Sequence, residues 1–354
     1  MMRTQSSSNG SKRKGQQVSP PNQLPVRCRV AHCITPSQSD PEYNRLAYTH
    51  IFAGNPFDRG DHARRYEDEL KKMMRQSNAR HLPFHKLKPL VSRNSSAELG
   101  WIGHEFLDDL PPEAGGPKFL GFDEERNPHF AVDISVVEDP SPIAARLPGA
   151  FFEDGRAAAT DVPAQQSGII AQARSNLNWH ASHRFCSTCG YESQSHRGGL
   201  MRKCDRCGAE HFPRTDPVAI MLVYKGDKCV MGQTLARQGS TFYSCLAGFM
   251  DQGESIEEAV RREVKEEAGL DVGKVSYHSS QPWPFPSSLM IGCHAEAISE
   301  EIIVDEGEMS DVRWFTKDEV KLALKDELEG VNIPGPIAIA HHLIKAWAEG
   351  TANI

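Results

Sequence analysis

The stretch from Gly248 to Leu270, GFMDQGESIEEAVRREVKEEAGL, sets the reading of the whole chain. A loop-opening glycine and Glu254 come first, then Arg262-Glu263-Val264-Lys265-Glu266-Glu267, then Gly269-Leu270. In the predicted helix, Glu263, Glu266 and Glu267 stand at i, i+3 and i+4, so their carboxylates return to one face. Clustered negative charge is costly without compensation. A hard cation, Mg²⁺ or Mn²⁺, supplies it, and the same ion can bridge phosphate oxygens and activate a water. Arg262 faces elsewhere and is expected to lock the preceding loop by pairing with Glu254. Gly248 is expected to let that loop turn tightly beside a phosphate, and Gly269 to end the helix with positive φ. Val264 and Leu270 belong to the core. Acidic runs also occur as solvated faces, but the glycine loop, Glu254, REVKEE and the Gly-Leu exit occur here together, which points to metal-dependent hydrolysis.

Outward from this stretch, 354 residues leave room for two or more domains with buried cores. A hydrophobic content of 39%, a charged content of 25% and a net charge of -7 describe an ordinary water-soluble composition without a large basic nucleic-acid footprint. No apolar run approaches the roughly 20 residues that span a bilayer, and the start has no signal-peptide pattern. Residues 1–40, rich in Ser, Gln, Asn, Pro and basic residues, read as a disordered tail in which Lys12-Arg13-Lys14 is a solvated cluster. Residues 41–165 are expected to form a small mixed domain, opening at Tyr48-Thr49-His50 and FAGNP. A charged helix is expected near 61–75, with short strands at Pro117–Phe122 and Pro128–Val137. A helix from Ile169 to Ser182, with Ile170, Ala173, Leu177 and Trp179 on its apolar side, leads into a cysteine cluster and is grouped with it as residues 166–212. Residues 213–354 form the catalytic domain, ending in helices at Lys317–Leu328 and Pro336–Trp347, the latter with proline in its first turn.

Nine cysteines are an odd count for a disulfide scaffold. Cys186-x-x-Cys189-Gly190 and Cys204-x-x-Cys207-Gly208 form two knuckles whose four thiolates suit tetrahedral Zn²⁺. Four sulfur ligands leave no open position for water, so the zinc is structural. His183, His196 and His211 read as surface or interdomain hydrogen-bonding residues because the cysteine set is already complete. Cys28, Cys33, Cys229, Cys245 and Cys293 read as reduced thiols.

The Gly248–Leu270 stretch matches the Nudix box, and Ser280-Gln281-Pro282-Trp283-Pro284-Phe285-Pro286-Ser287-Ser288 closely resembles the SQPWPFPxS signature of the NADH pyrophosphatase branch of the Nudix hydrolases. The four-cysteine ribbon and FAGNP, with Asn55 and Asp58-Arg59, follow the same branch. The resemblance implies an α/β Nudix sandwich of α/β/α layers, with an N-terminal mixed domain and the zinc ribbon. It implies that Glu263, Glu266 and Glu267 hold Mg²⁺ or Mn²⁺ and that Glu308 completes the set, with Glu306 a close alternative and Glu267 the leading proton acceptor. On the substrate side it implies Phe249 and Phe212 flanking nicotinamide, Phe212 contributed across a homodimer. Gln281, Trp283, Ser288 and Ala340 would then contact the dinucleotide, Gln281 through a polar edge held by three alternating prolines.

The expected reaction is cleavage of the central diphosphate of NADH or NAD⁺, giving AMP and the nicotinamide mononucleotide, with NAD-cap removal from RNA as an extension. A broader nucleotide-sugar or diadenosine hydrolase is the enzymatic alternative, and a zinc-ribbon RNA-binding module the non-enzymatic one. The ending Thr351-Ala352-Asn353-Ile354 lacks a peroxisomal SKL address, so the cytoplasm is the expected location, with an organelle left open.

Overall fold

A computed structural model of the chain describes residues 50–354. The expectations for residues 1–40, for Lys12-Arg13-Lys14, Cys28 and Cys33, and for the Tyr48-Thr49 opening lie outside the described residues.

The N-terminal domain is built on strands β1 (Arg80–His85), β2 (Lys88–Arg93), β3 (Ala97–Leu99), β4 (Lys118–Phe122), β5 (Pro128–Asp133) and β6 (Ala150–Phe152). They run in the order β3-β2-β1-β5-β4, with β6 on β2. Only β1 and β5 pair in parallel, and the other pairings are antiparallel. The second expected strand stops at Asp133 rather than Val137, because the Asp133 carboxylate accepts from the Ser135 N–H at 2.9 Å and closes a turn. The expected charged helix is a short 3₁₀ turn followed by α1 (Glu67–Met73). Helices α2 (Ser141–Ala144), α3 (Gly155–Asp161) and α4 (Ala164–Ser182) complete the domain. Ile169, Ile170, Ala173 and Leu177 of α4 are buried in the same core as Leu82, Phe84 and Val132. That packing moves the boundary: α4 belongs to the N-terminal core, and the ribbon begins after it.

The ribbon is a three-stranded antiparallel sheet of β7 (Gln194–His196), β8 (Met201–Lys203) and β9 (Glu210–His211). Next come β10 (Asp216–Lys225), β11 (Lys228–Thr234), β12 (Leu246–Phe249), α5 (Ile256–Ala268), β13 (Val272–Trp283), β14 (Ser288–Ala297), β15 (Met309–Thr316), α6 (Lys317–Ala323) and α7 (Ile339–Glu349). The sheet order is β13-β14-β10-β11-β15, with β12 on β10. Alternation along β10 explains the layers. Ala219, Met221 and Val223 pack with Ala259, Val260 and Val264 of α5, whereas Ile220 and Leu222 pack with Val320 of α6 and Leu343, Ile344 and Trp347 of α7. The result is the expected α/β/α sandwich.

Both terminal helices are shorter than expected. After Ala323 the chain folds back through Asp326 at φ 59°, and the Glu327 N–H returns to the Leu322 carbonyl. The last helix starts at Ile339, not Pro336, because Gln281 Oε1 accepts the Ile339 N–H at 2.8 Å and supplies the partner that a first helical turn lacks.

Candidate active site and zinc ribbon

Helix α5 is held in register at both ends. Ser255 and Glu258 form a reciprocal capping box, a signal the sequence carried as Ser-x-x-Glu, and Gly269 ends the helix at φ 69° as expected. Between these caps, Glu263 and Glu267 are buried, at 7% and 5% exposure, while Glu266 reaches solvent. Burial, then repulsion from Glu263 and Glu308, pushes the Glu267 carboxyl up to about 8. Its Oε2 is buried with no hydrogen-bond partner. Burial likewise raises Glu263, with Glu266 and Glu308 adding to the effect. Glu308, in the turn before β15, is thus close enough to add its charge to both.

Gly248 has a different role from the one its position suggested. It sits in strand β12 opposite Ala219, and a Cβ there would lie 2.0 Å from Glu263 Cδ and 2.1–2.2 Å from both carboxylate oxygens. The glycine makes space for Glu263; the turn itself falls to Gly253, at φ 93°. The expected pairing of Arg262 with Glu254 is present at 2.6 and 2.8 Å, and the same guanidinium reaches the Phe249 carbonyl at 2.9 Å, Glu263 at 2.6 Å and Glu266 at 3.1 Å. Arg262 therefore fixes the loop and also holds two carboxylates in place. Its hydrogen bonds bring the Glu254 carboxyl down to about 2. An orphaned buried carboxylate oxygen, a glycine cradle and an all-oxygen donor set fit a hard divalent cation.

Phe249, at the end of β12, is 63% exposed, and Phe212, directly after the ribbon, is 56% exposed. Such exposure is unusual for large aromatics and leaves both faces available for stacking. Trp283 and Ser288 line a cavity of about 490 Å³ between the two domains. Gln281 does not. It is fully buried, donates to the Ile51 and Ile337 carbonyls at 2.9 and 2.8 Å, and accepts from Ile339, so its amide is consumed by structure and offers no edge to a ligand. The proline run is also not extended throughout: Trp283 pairs with Ser288, and residues 284–287 form the hairpin loop. Phe285 packs edge-on against Phe52 and Trp283, with the Arg156 guanidinium over its ring at 3.8 Å. Ala340 is 2% exposed in the core beneath α7, where its carbonyl takes the Cys245 thiol, so it faces no nucleotide. His341 and His342 bond to the Pro334 and Pro336 carbonyls.

In the ribbon, the sulfurs of Cys186, Cys189, Cys204 and Cys207 all lie within 4.8 Å of one another, closer than the glutamates of α5 and Glu308, two of which are tied to Arg262. Cys186 and Cys204 are buried. His211, read from the sequence as a surface or interdomain hydrogen-bonding residue, places Nε2 3.2 Å from Cys186 Sγ. Burial opposes a Cys186 thiolate, but His211 and the Cys189 and Thr188 N–H groups outweigh it and hold the thiol down to about 5. His183 bonds to Ser182 and stacks on Trp179, and His196 lies 3.6 Å from Glu67.

Sequence profiles match all three parts of the chain. A NUDIX domain matches residues 213–333, an NADH pyrophosphatase-like rudimentary NUDIX domain 78–179, and an NADH pyrophosphatase zinc ribbon domain 181–212. The human protein named NAD(P)H pyrophosphatase NUDT13, mitochondrial, is 36% identical over 315 residues, covering 80% of this chain and 88% of its own length. The chain belongs to the Nudix hydrolase family, in its NADH pyrophosphatase branch. The NAD-capped RNA hydrolase NudC of Mycobacterium bovis (strain BCG / Pasteur 1173P2) is 39% identical, covering 69% of this chain and 78% of its own. The human NAD-capped RNA hydrolase NUDT12 is 46% identical over 201 residues, 54% of this chain; the chain spans only 43% of that relative's length. Among the described residues, no helix is long and apolar enough to cross a membrane.

Proposed function

We propose that this Nudix protein hydrolyses the central diphosphate of NADH and NAD⁺ to AMP and NMNH or NMN, and removes NAD caps from RNA by the same cleavage. The observation that carries this reading is the Glu267 carboxylate, buried under the charge of Glu263 and Glu308, with one oxygen unpartnered. Relatives named for NAD(P)H and NAD-capped RNA support the substrate class.

Glu263, Glu266, Glu267 and Glu308 would hold Mg²⁺ or Mn²⁺. When bound, such an ion neutralises phosphate charge and lowers the pKa of a coordinated water. The remaining work belongs to the chain. Arg262 ties the Phe249 carbonyl and Glu254 to α5, which fixes the loop that would meet the diphosphate. Glu267 Oε2 is the leading acceptor for the proton of the attacking water, since it is buried in the site with no other hydrogen-bond partner. The exposed ring of Phe249 stacks on nicotinamide, and Phe212 closes the other side from a second copy in a homodimer. The four cysteines hold structural Zn²⁺. The cytoplasm is the proposed place of action; import of the tagged full chain into an organelle would overturn that part.

The deciding experiment measures AMP release from NADH, NAD⁺ and NAD-capped RNA with Mg²⁺ or Mn²⁺, for the parent and Glu267→Gln. Loss of turnover of about a hundredfold or more in the variant is expected. Unimpaired turnover would refute the carboxylate chemistry, and efficient cleavage of nucleotide sugars or diadenosine compounds with little cleavage of NADH would refute the substrate class. A wholly monomeric active enzyme would refute the dimer.

A further inference from the structure

Two cavities meet at Arg59. The larger, about 490 Å³, carries Trp283, Ser287 and Ser288 on the catalytic side and Asn55 on the other. The smaller, about 310 Å³, carries Arg64, Asn176 and Arg214. Arg59, Gln172, Ser175 and Thr215 line both, so the two form one cleft with Arg59 at its waist.

The neighbours of Arg59 in its motif are fully explained by the fold. Asn55 donates to Gln172 at 2.9 Å and accepts the Phe57 N–H; Asp58 accepts from Gly60 and from Arg126 at 2.6 Å. The Arg59 side chain is solvent-exposed in the cleft, and its guanidinium has no hydrogen bond or ion pair with any described residue. Beside it, Arg64 is 5% exposed and bonds only to carbonyls, among them those of Arg59 and Phe119 at 2.8 Å. The nearby carboxylate, Asp61, is engaged by Arg65 and Arg197. Arg214 is neutralised by Asp216 at 2.5 Å. Asp61, which lines the smaller cavity, is thus already engaged, and the Arg64 N–H groups are taken by carbonyls, so Arg59 is the guanidinium of the cleft whose donors are left to meet a phosphate.

The cleft also adjoins the catalytic loop. The Met250 N–H donates to the Pro217 carbonyl at 3.1 Å, and Thr215, which lines the cleft, lies two residues before Pro217, just ahead of β10. In a nicotinamide dinucleotide, a phosphate beyond the scissile diphosphate sits on the adenosine ribose. It is either a 2′-monoester or the 3′-diester that begins an RNA chain.

We infer that Arg59 binds a phosphate on the adenosine ribose of the substrate and so discriminates phosphorylated or RNA-linked dinucleotides from unmodified ones. This rests on the dinucleotide reading above. The test is calorimetric titration of the full chain with AMP, adenosine 2′,5′-bisphosphate and adenosine 3′,5′-bisphosphate, none of which has the scissile bond. One bisphosphate is expected to bind about 10- to 100-fold tighter than AMP, the range of one charge-assisted contact. Preference for the 2′ isomer identifies the monoester as the source, and preference for the 3′ isomer the RNA diester. Arg59→Gln should bring that bisphosphate down to the affinity of AMP, and Arg59→Lys should retain part of the preference. Equal binding of all three by the parent chain, or a parallel loss for all three in Arg59→Gln with no recovery in Arg59→Lys, overturns the inference. A chain that prefers a bisphosphate yet fails to cleave NADH sinks the functional reading alone.

Discussion

Replacing Gly248 by alanine tests the architecture of the site with a single methyl group. The new Cβ would lie 2.0 Å from Glu263 Cδ, and ordinary contact begins near 3.4 Å, so the carboxyl group must withdraw by about 1.4 Å or the strand must move. Misplacing a group at a reacting centre by about 1 Å costs on the order of a hundredfold in rate. Overpacking at a buried position costs about 1–3 kcal/mol. Gly248→Ala should therefore lose at least a hundredfold in kcat/KM for NADH while unfolding as a cooperative, modestly destabilised protein. The double variant Gly248→Ala, Glu263→Ala isolates the cause. If the clash is with Glu263, adding Gly248→Ala to a Glu263→Ala background should cost at least about 1 kcal/mol less than adding it to the parent, a coupling within the range for contacting residues. Additive destabilisation, or near-parental activity in the single variant, would show that Gly248 does not serve to accommodate Glu263.

Other consequences are independent of that cycle. Gln281→Leu strands the Ile51 and Ile337 carbonyls and the Ile339 N–H; at about 1–3 kcal/mol for each buried orphan, a loss of at least roughly 3 kcal/mol is expected in denaturant unfolding, and parental stability would contradict it. Lys118 is 8% exposed, and burial lowers its pKa from 10.5 to about 8. The folded chain thus binds that proton less readily than the unfolded chain, so stability rises with pH between about 8 and 10.5 and is reduced below that window by roughly 3 kcal/mol. Lys118→Met should be more stable than the parent at pH 7 and lack that rise; a pH profile parallel to the parent's would refute the burial argument. Cys204→Ser, or exposure to a strong chelator, should release zinc measurable by atomic absorption and lower the unfolding temperature, and an unchanged melting curve after full metal loss would exclude a structural zinc.

The elements that could be read from the chain were those whose signal is local. Helix α5 announces itself through its three recurring glutamates, its buried Val264 and its terminal glycine, and the ribbon through paired knuckles. What could not be read depends on partners distant in sequence. Gln281 looked like a ligand contact because prolines surround it, yet its three partners lie at Ile51, Ile337 and Ile339. Ala340 is decided by a core assembled from β10, β11 and α7. The need for glycine at 248 arises from a carboxylate fifteen residues away across a strand and a helix. His211 next to Cys186 had a usable signal, since it stands four residues past the last cysteine of the ribbon, but the complete four-sulfur set obscured it.

The Gln281 amide joins a residue before the first sheet, the turn ahead of the last helix and a strand of the catalytic sheet through one side chain. The aromatic stack of Phe52, Trp283 and Phe285 reinforces the same junction. The catalytic half is therefore not a free-standing module to which an N-terminal half has been appended. Released from its neighbour, it would lose the partner for a buried amide and expose two large rings. Loosening of either half should pass to the other as one cooperative unfolding event.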